Sequence, residues 1–453
     1  MTAPAPAQLL RRALLGAIAL GPALWLLGRP LLDRAALPGV PSAGIYALLH
    51  RFWSVGAVVP ERFPSPGASP HPEAIAWLLR PLIILAGPDV VVRLLMLGGL
   101  VATLTIVWRY ARTLTTDWTA AAATAAATAS PAVIAGVASG DLDAWHVWGA
   151  FALPLTGRMG SVATGIAIAV LAPTQLPVAL LPVALHVRVK GDVWPVIGWL
   201  AGMITAAGIG WPELDVSANH AAWFTYLLPA PAPERVFQVY VGFFAALLLC
   251  VGAVGKDRSW ALLGALAMLG ALLQSPLPPE RFLQLVPFAA LLSSMSTLRR
   301  FTTSPVPAIL FGTALLSEGW KGVATNVPLD TASLAAPAPI SELAPGPVLD
   351  LPATRGAIRR ALWYQTLHGH PIAADAGALV TEDVARVAAG LSAGSCADLA
   401  TIGFTNVIAR REASFRELGK LEACLGKPSW DDGAVAVWRV GERAPEGEGS
   451  PSR

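Results

Sequence analysis

Small clusters of Lys and Arg separate long apolar runs, and they fall at every second junction along the chain. Arg11-Arg12, Arg109 with Arg112, Arg158, Arg188 with Lys190, Lys256 with Arg258, and Arg299-Arg300 can therefore all stand on one side of a bilayer. Positive charge near span ends is retained on the cytoplasmic side, so the alternation fixes an orientation as well as a span count. It predicts an α-helical polytopic membrane protein of about 11 spans, with the N-terminus inside. Everything after residue 318 is then outside, on the same face as the first long loop. Charged residues make up only 13% of the chain, against roughly 25% in soluble domains. A soluble enzyme with a single anchor is thereby excluded. No stretch interleaves basic and aromatic residues as a nucleic-acid surface does, so the bilayer is the expected partner and nucleic acid is not.

The run 13–32 follows Arg11-Arg12 and has no small-residue cleavage site after it, which predicts a retained first span rather than a signal peptide. The first outer loop, 33–87, is Pro-rich. It contains an amphipathic pattern over 46–53 that reads as interfacial and a short apolar piece over 74–86, carrying Arg80, that reads as interfacial or re-entrant. Further spans are expected over 90–108, 118–138, 144–158, 193–210, 237–254, 260–275, 282–297 and 303–316. Between 160 and 187 the prolines at 173 and 177 predict two short tilted spans or a re-entrant pair. The whole of 1–317 forms the membrane domain in this scheme, followed by a linker over 318–345.

Beyond the linker, apolar runs shorten to strand length. Strands are expected over 348–352, 405–409 and 435–440, and helices over 382–393 and 414–425. The segment 346–441 is thus a small α/β or α+β extracytoplasmic domain, and 442–453 a disordered tail. Cys396 and Cys424 both fall in it, where an oxidising compartment favours a disulfide. Cys250 lies inside an apolar run and reads as a packing residue.

Four short motifs carry a resemblance. They are Phe63-Pro64-Ser65-Pro66-Gly67-Ala68 with Ala86-Gly87-Pro88, and Ala138-Ser139-Gly140-Asp141-Leu142-Asp143-Ala144-Trp145. The others are Pro279-Glu280-Arg281-Phe282, and Val348-Leu349-Asp350-Leu351-Pro352 with the run from Trp363 to Pro371. Together they resemble the GT-C superfamily of membrane glycosyltransferases, in particular a bacterial multi-pass group with an outer C-terminal soluble domain. The resemblance implies transfer of a sugar from a polyprenyl-phosphate donor to an acceptor on the outer face of the bacterial inner membrane. Such enzymes place an acidic residue early in the first outer loop. Here the alignable position is Ser42, and the nearest carboxylate is Asp33 upstream. The alternative is a non-catalytic relative that binds lipid or serves in cell-envelope assembly.

Transfer needs a general base for the acceptor and cationic contacts for the leaving phosphate. Asp141 and Asp143, one residue apart in a tight turn, can face one cavity and share a divalent cation such as Mg or Mn through hard oxygen ligands. Against this, two acids in an exposed turn also serve as solvated or helix-capping residues. Asp33 is a third catalytic candidate, although its neighbour Arg34 offers a plain surface ion pair. Arg281 can hold a lipid phosphate through its forked donors, or simply snorkel from a helix start. Glu213 and Asp215, beside His220, lie in an outer loop and are candidate substrate contacts or solvated loop residues. His146, near the Asp pair, reads as an interfacial helix residue or a base. His368 and His370 flank Gly369 and are too few for a metal site, which makes a structural turn the default.

Overall fold

The computed structural model describes residues 6–32, 36–37, 49, 70–130, 133–134, 137, 142–209, 243–255, 258–272, 282, 285–301, 317, 332–333, 340, 343–352, 355–373, 382–411 and 418–441. The chain is mostly helical. Before residue 317 run α1 (Pro6–Leu32), α2 (Pro70–Ala86), α3 (Pro88–Leu114), α4 (Asp117–Thr128), α5 (His146–Phe151) and α6 (Arg158–Leu171). They continue as α7 (Leu176–Lys190), α8 (Trp194–Ile209), α9 (Phe243–Ala253), α10 (Arg258–Leu272) and α11 (Leu285–Phe301). A two-stranded ladder pairs β1 (Ala36–Leu37) with β2 (Ala332–Ser333). The C-terminal part runs β3 (Val348–Leu351), α12 (Arg355–His368), α13 (Glu382–Ser392), α14 (Ala397–Ile402), β4 (Asn406–Arg410), α15 (Leu418–Leu425), β5 (Trp430–Asp431) and β6 (Val435–Arg439). Contacts divide the chain into two units, 1–34 with 92–331 and 35–91 with 332–453.

In the first unit, Leu10–Gly28 is long and apolar enough to cross a membrane, as is the helix Pro88–Leu114. Both carry apolar side chains outward, Leu14 and Trp25 on α1 and Leu94 and Val101 on α3 among them, the surface expected of a helix that meets lipid. Helices α6 and α7 pass the same test only as a pair, bent by 117°, because Pro173 and its neighbours form a 3₁₀ turn between them. Two separate tilted spans, one of the two readings of 160–187, are therefore not met, and the bent pair is a broken span or a re-entrant loop.

The expected count of about eleven spans is not met among the described residues. Two helices reach the required length, or three spans if the bent pair is one. The run expected over 118–138 is helical as α4 to Thr128, is interrupted at 129–130, and is helical again at 133–134 and 137. Ser130 precedes Pro131, and a residue before proline is pushed out of the helical region. The run expected over 144–158 is broken as well. It contains the 3₁₀ turn Leu142–Trp145, the short α5 and a second turn at Leu153–Leu155, where Pro154 sits. Helices α8 and α10 and the apolar parts of α2 and α11 are shorter than a membrane crossing. The span expected over 303–316 lies outside the described residues.

Two basic clusters assigned by sequence to one side do meet. Arg11 Nη2 and Arg112 Nε each donate to the Asp117 carboxylate at 3.0 Å, joining the start of α1, the end of α3 and the start of α4. Deeper in the unit, α6 and α8 touch backbone to backbone. Ser161 and Gly165 on α6 face Gly198 and Gly202 on α8, and a Cβ on Gly165 would stand 1.8 Å from the Gly198 carbonyl oxygen. Small residues four apart on both helices permit this approach. Tyr110, Phe151, Trp260 and Phe288 form an aromatic cluster that ties α3, α5, α10 and α11 together, with Tyr110 edge-on to the other three rings and Phe151 tilted against Phe288. Cys250 corrects its sequence reading: its free thiol is exposed on α9 rather than packed.

In the second unit, four strands lie in the order β3-β4-β6-β5, with β3 parallel to β4 and the remaining pairs antiparallel. Alternation separates the two faces. Leu349, Leu351, Val407, Ala409, Ala436 and Trp438 pack against Val384, Val387 and Leu391 of α13, Leu399 of α14 and Leu421 of α15. Asp350, Ile408, Arg410 and Val437 occupy the other face, where Tyr364 of α12 reaches Arg410. Burial on both faces explains why β3 and β4 are apolar almost throughout. The domain is α/β, as the strand and helix patterns predict. The expected disulfide joins Cys396 to Cys424, with Cα atoms 6.0 Å apart. Its closed loop stabilises the fold by about 3–4 kcal/mol. Helix α2 is apolar on both sides: Ile75, Ala76 and Ile83 are buried, Trp77, Leu78 and Leu85 are exposed, and Arg80 lies 5.1 Å from the Trp77 ring. The amphipathic pattern expected over 46–53 lies, but for residue 49, outside the described residues.

Candidate functional site

Most residues singled out by the sequence lie outside the described residues: Asp33, Ser42, Asp141, Glu213, Asp215, His220 and Arg281. Asp143 is described by its backbone alone, within the 3₁₀ turn Leu142–Trp145. That turn runs straight into α5, so Asp143 and His146 share one tight segment. His146 is 2% exposed. The short helix it opens is enclosed by α7 and the turns on either side. Among the described residues, no three of His, Cys, Asp and Glu gather to hold a metal ion.

A buried charged group in the C-terminal domain is what sequence reasoning passed over. Arg410 Nη2 donates to Asp350 Oδ1 at 2.7 Å, and Nη1 donates to the Tyr364 hydroxyl at 3.2 Å. The guanidinium also lies 4.9 Å from the Tyr364 ring centre. Both charged side chains are almost wholly buried. Register explains the meeting: Asp350 opposes Ile408, and Arg410 is two residues farther along the same face of β4. Burial alone would pull the guanidinium down, but Asp350 and Tyr364 outweigh it and hold Arg410 above its ordinary value. A cation held so firmly neither gives nor takes a proton near neutrality. The group is an anchor between sheet and helix rather than an acid–base pair. The signal was present in the sequence as an Asp inside one apolar strand and an Arg closing another.

His368 and His370 form the structural turn that their spacing implies. The His370 backbone N–H donates to His368 Nδ1 at 2.9 Å, across Gly369 in the left-handed region at φ 71°. The rings stack with centres 5.4 Å apart. Burial, helped by the His370 charge, pushes the His368 imidazole down to about 4. Protonation would also turn Nδ1 from an acceptor into a donor facing another donor. Because the folded value lies below the ordinary 6.5, stability from the neutral ring is complete above that pH and is lost as pH falls toward 4. The expected loss is on the order of 2–3 kcal/mol. Hydrogen exchange of α12 amides between pH 7 and 4 measures it, and His368→Gln should flatten the profile relative to the parent.

No known protein family matches the sequence, and no curated protein is significantly similar to it. What the fold defines is a helical protein with helices of membrane-crossing length, joined to a disulfide-linked α/β domain.

Proposed function

We propose that the protein is an integral-membrane glycosyltransferase that moves a sugar from a polyprenyl-phosphate donor to an acceptor on the outer face of the bacterial inner membrane. The observation that carries this reading is the β1–β2 ladder, in which Ala36 pairs with Ser333 and Leu37 with Ala332. Strand pairing needs neighbouring backbones about 5 Å apart, so it supports one shared side for the first loop and for the segment entering the C-terminal domain. The Cys396–Cys424 disulfide supports an oxidising side for that domain. In this reading Asp141, Asp143 and Asp33 supply the acidic groups, and Arg281 holds the donor phosphate. Glu213 and Asp215 contact substrate, and the buried His146 fixes the turn that carries Asp143.

Membrane vesicles given a polyprenyl-phosphate sugar test the reading. Asp141→Asn and Asp143→Asn are each expected to reduce transfer by about 10²-fold or more, the usual loss of a general base. Undiminished transfer removes those roles. Ser42, standing where an acid is expected, favours the second reading of a non-catalytic lipid-binding or envelope-assembly protein. A lipid that copurifies unchanged, with no turnover by the parent, is the result that reading requires.

A further inference from the structure

Gln175 occupies the N-cap position of α7, yet its side chain caps nothing. The residue is 0% exposed, and neither its amide oxygen nor its amide nitrogen has a hydrogen-bond partner. It ends the 3₁₀ turn at which α6 and α7 change direction. The first N–H groups of a helix lack acceptors within it. In α7 the second helical position is Pro177, which has none to offer, and the Leu176 N–H already donates to the Pro173 carbonyl, so of these three positions only Val178 is left as a first-turn donor. What the buried turn brings together is a side-chain donor and a side-chain acceptor, both on Gln175. A second buried donor without a partner, the indole Nε1 of Trp145, belongs to the cluster packed around the same turn.

A buried amide left without partners is costly in an apolar interior, and more so between helices of a membrane domain. The surroundings select what can satisfy it. Leu153, Ala172, Leu176, Trp145, Trp148 and the rest of that cluster carry no charge. A bare ion would stand there without a counter-charge. A neutral O–H group, which donates once and accepts at its lone pairs, meets both ends of the amide.

We propose that Gln175 and the first turn of α7 form a buried site for a neutral hydroxyl group, supplied either by a bound water or by a ring hydroxyl of a sugar. The sugar source rests on the glycosyltransfer reading above, and the water source does not.

The test melts the full-length protein in lipid nanodiscs, with and without polyprenyl-phosphate glucose. The variants are Gln175→Leu, which keeps bulk and removes the amide, and Gln175→Met, which keeps the length and guards against a packing loss. With water in the site, both variants melt several degrees below the parent when no donor is present. With a sugar hydroxyl in the site, the three proteins melt together alone and only the parent gains from donor. Variants that melt at or above the parent, with donor shifting all three alike, overturn the proposal, because that is how an empty amide behaves. A fall in Gln175→Leu that Gln175→Met does not share is a packing effect and overturns it too. Donor turnover in the same samples scores the glycosyltransfer reading separately.

Discussion

Asp350→Ala is expected to destabilise the C-terminal domain by about 3–5 kcal/mol, because it leaves the buried Arg410 guanidinium without its counter-charge. Replacing both partners gives a different outcome. Asp350→Leu combined with Arg410→Met substitutes apolar packing for the pair, and it should recover most of that loss or exceed the parent. Tyr364 loses its donor only in the double variant, so its hydroxyl sets a limit on full recovery. Urea unfolding of the full chain, followed by hydrogen exchange of β4 amides, separates the cases. A double variant less stable than Asp350→Ala would mean that the pair is not the anchor described here.

Gly165→Val should prevent α6 and α8 from docking. Even a single added carbon at Gly165 meets the Gly198 carbonyl oxygen at 1.8 Å, and one added at Gly198 meets the Ser161 carbonyl oxygen at 2.3 Å. The atoms in the way are backbone, which cannot swing aside as a side chain does. Overpacking of this kind costs about 1–3 kcal/mol when a core can give, and more where it cannot. The expected result is loss of monodisperse protein on extraction from the membrane. Gly208→Ala, on α8 with open space around it, should extract as the parent does. Equal behaviour of the two variants would show that the close approach contributes nothing.

The C-terminal domain was legible in the sequence because its strands are short apolar runs bounded by Gly and Pro, and such runs report local geometry directly. The cysteine pair was legible for a similar reason, since only two of the three thiols lie in that domain. The membrane part was read less well. Hydropathy averaged along a run does not register where a helix breaks, and Ser130-Pro131 and Pro154 interrupt two of the expected ones. The Ser161/Gly165 and Gly198/Gly202 spacings were in view, but two i, i+4 patterns acquire meaning only when they face each other. The Asp350–Arg410 pair joins residues 60 positions apart, and nothing local to either strand announces the register that joins them. Of the candidate site, the sequence placed Asp143 beside His146 correctly, and it missed that the histidine is enclosed. Asp33, Asp141 and Arg281 fall in segments outside the described residues.

The short ladder between β1 and β2 also sets a schedule for making the protein. Ala36 cannot find Ser333 until 333 − 36 = 297 further residues have been synthesised. At roughly 5–20 residues per second, the earlier strand waits about 15–60 s with its backbone hydrogen-bonding groups open. Membrane insertion of the intervening helices proceeds during that interval, so closure of the ladder comes late in biogenesis. A nascent chain stalled before residue 332 would carry β1 without its partner strand.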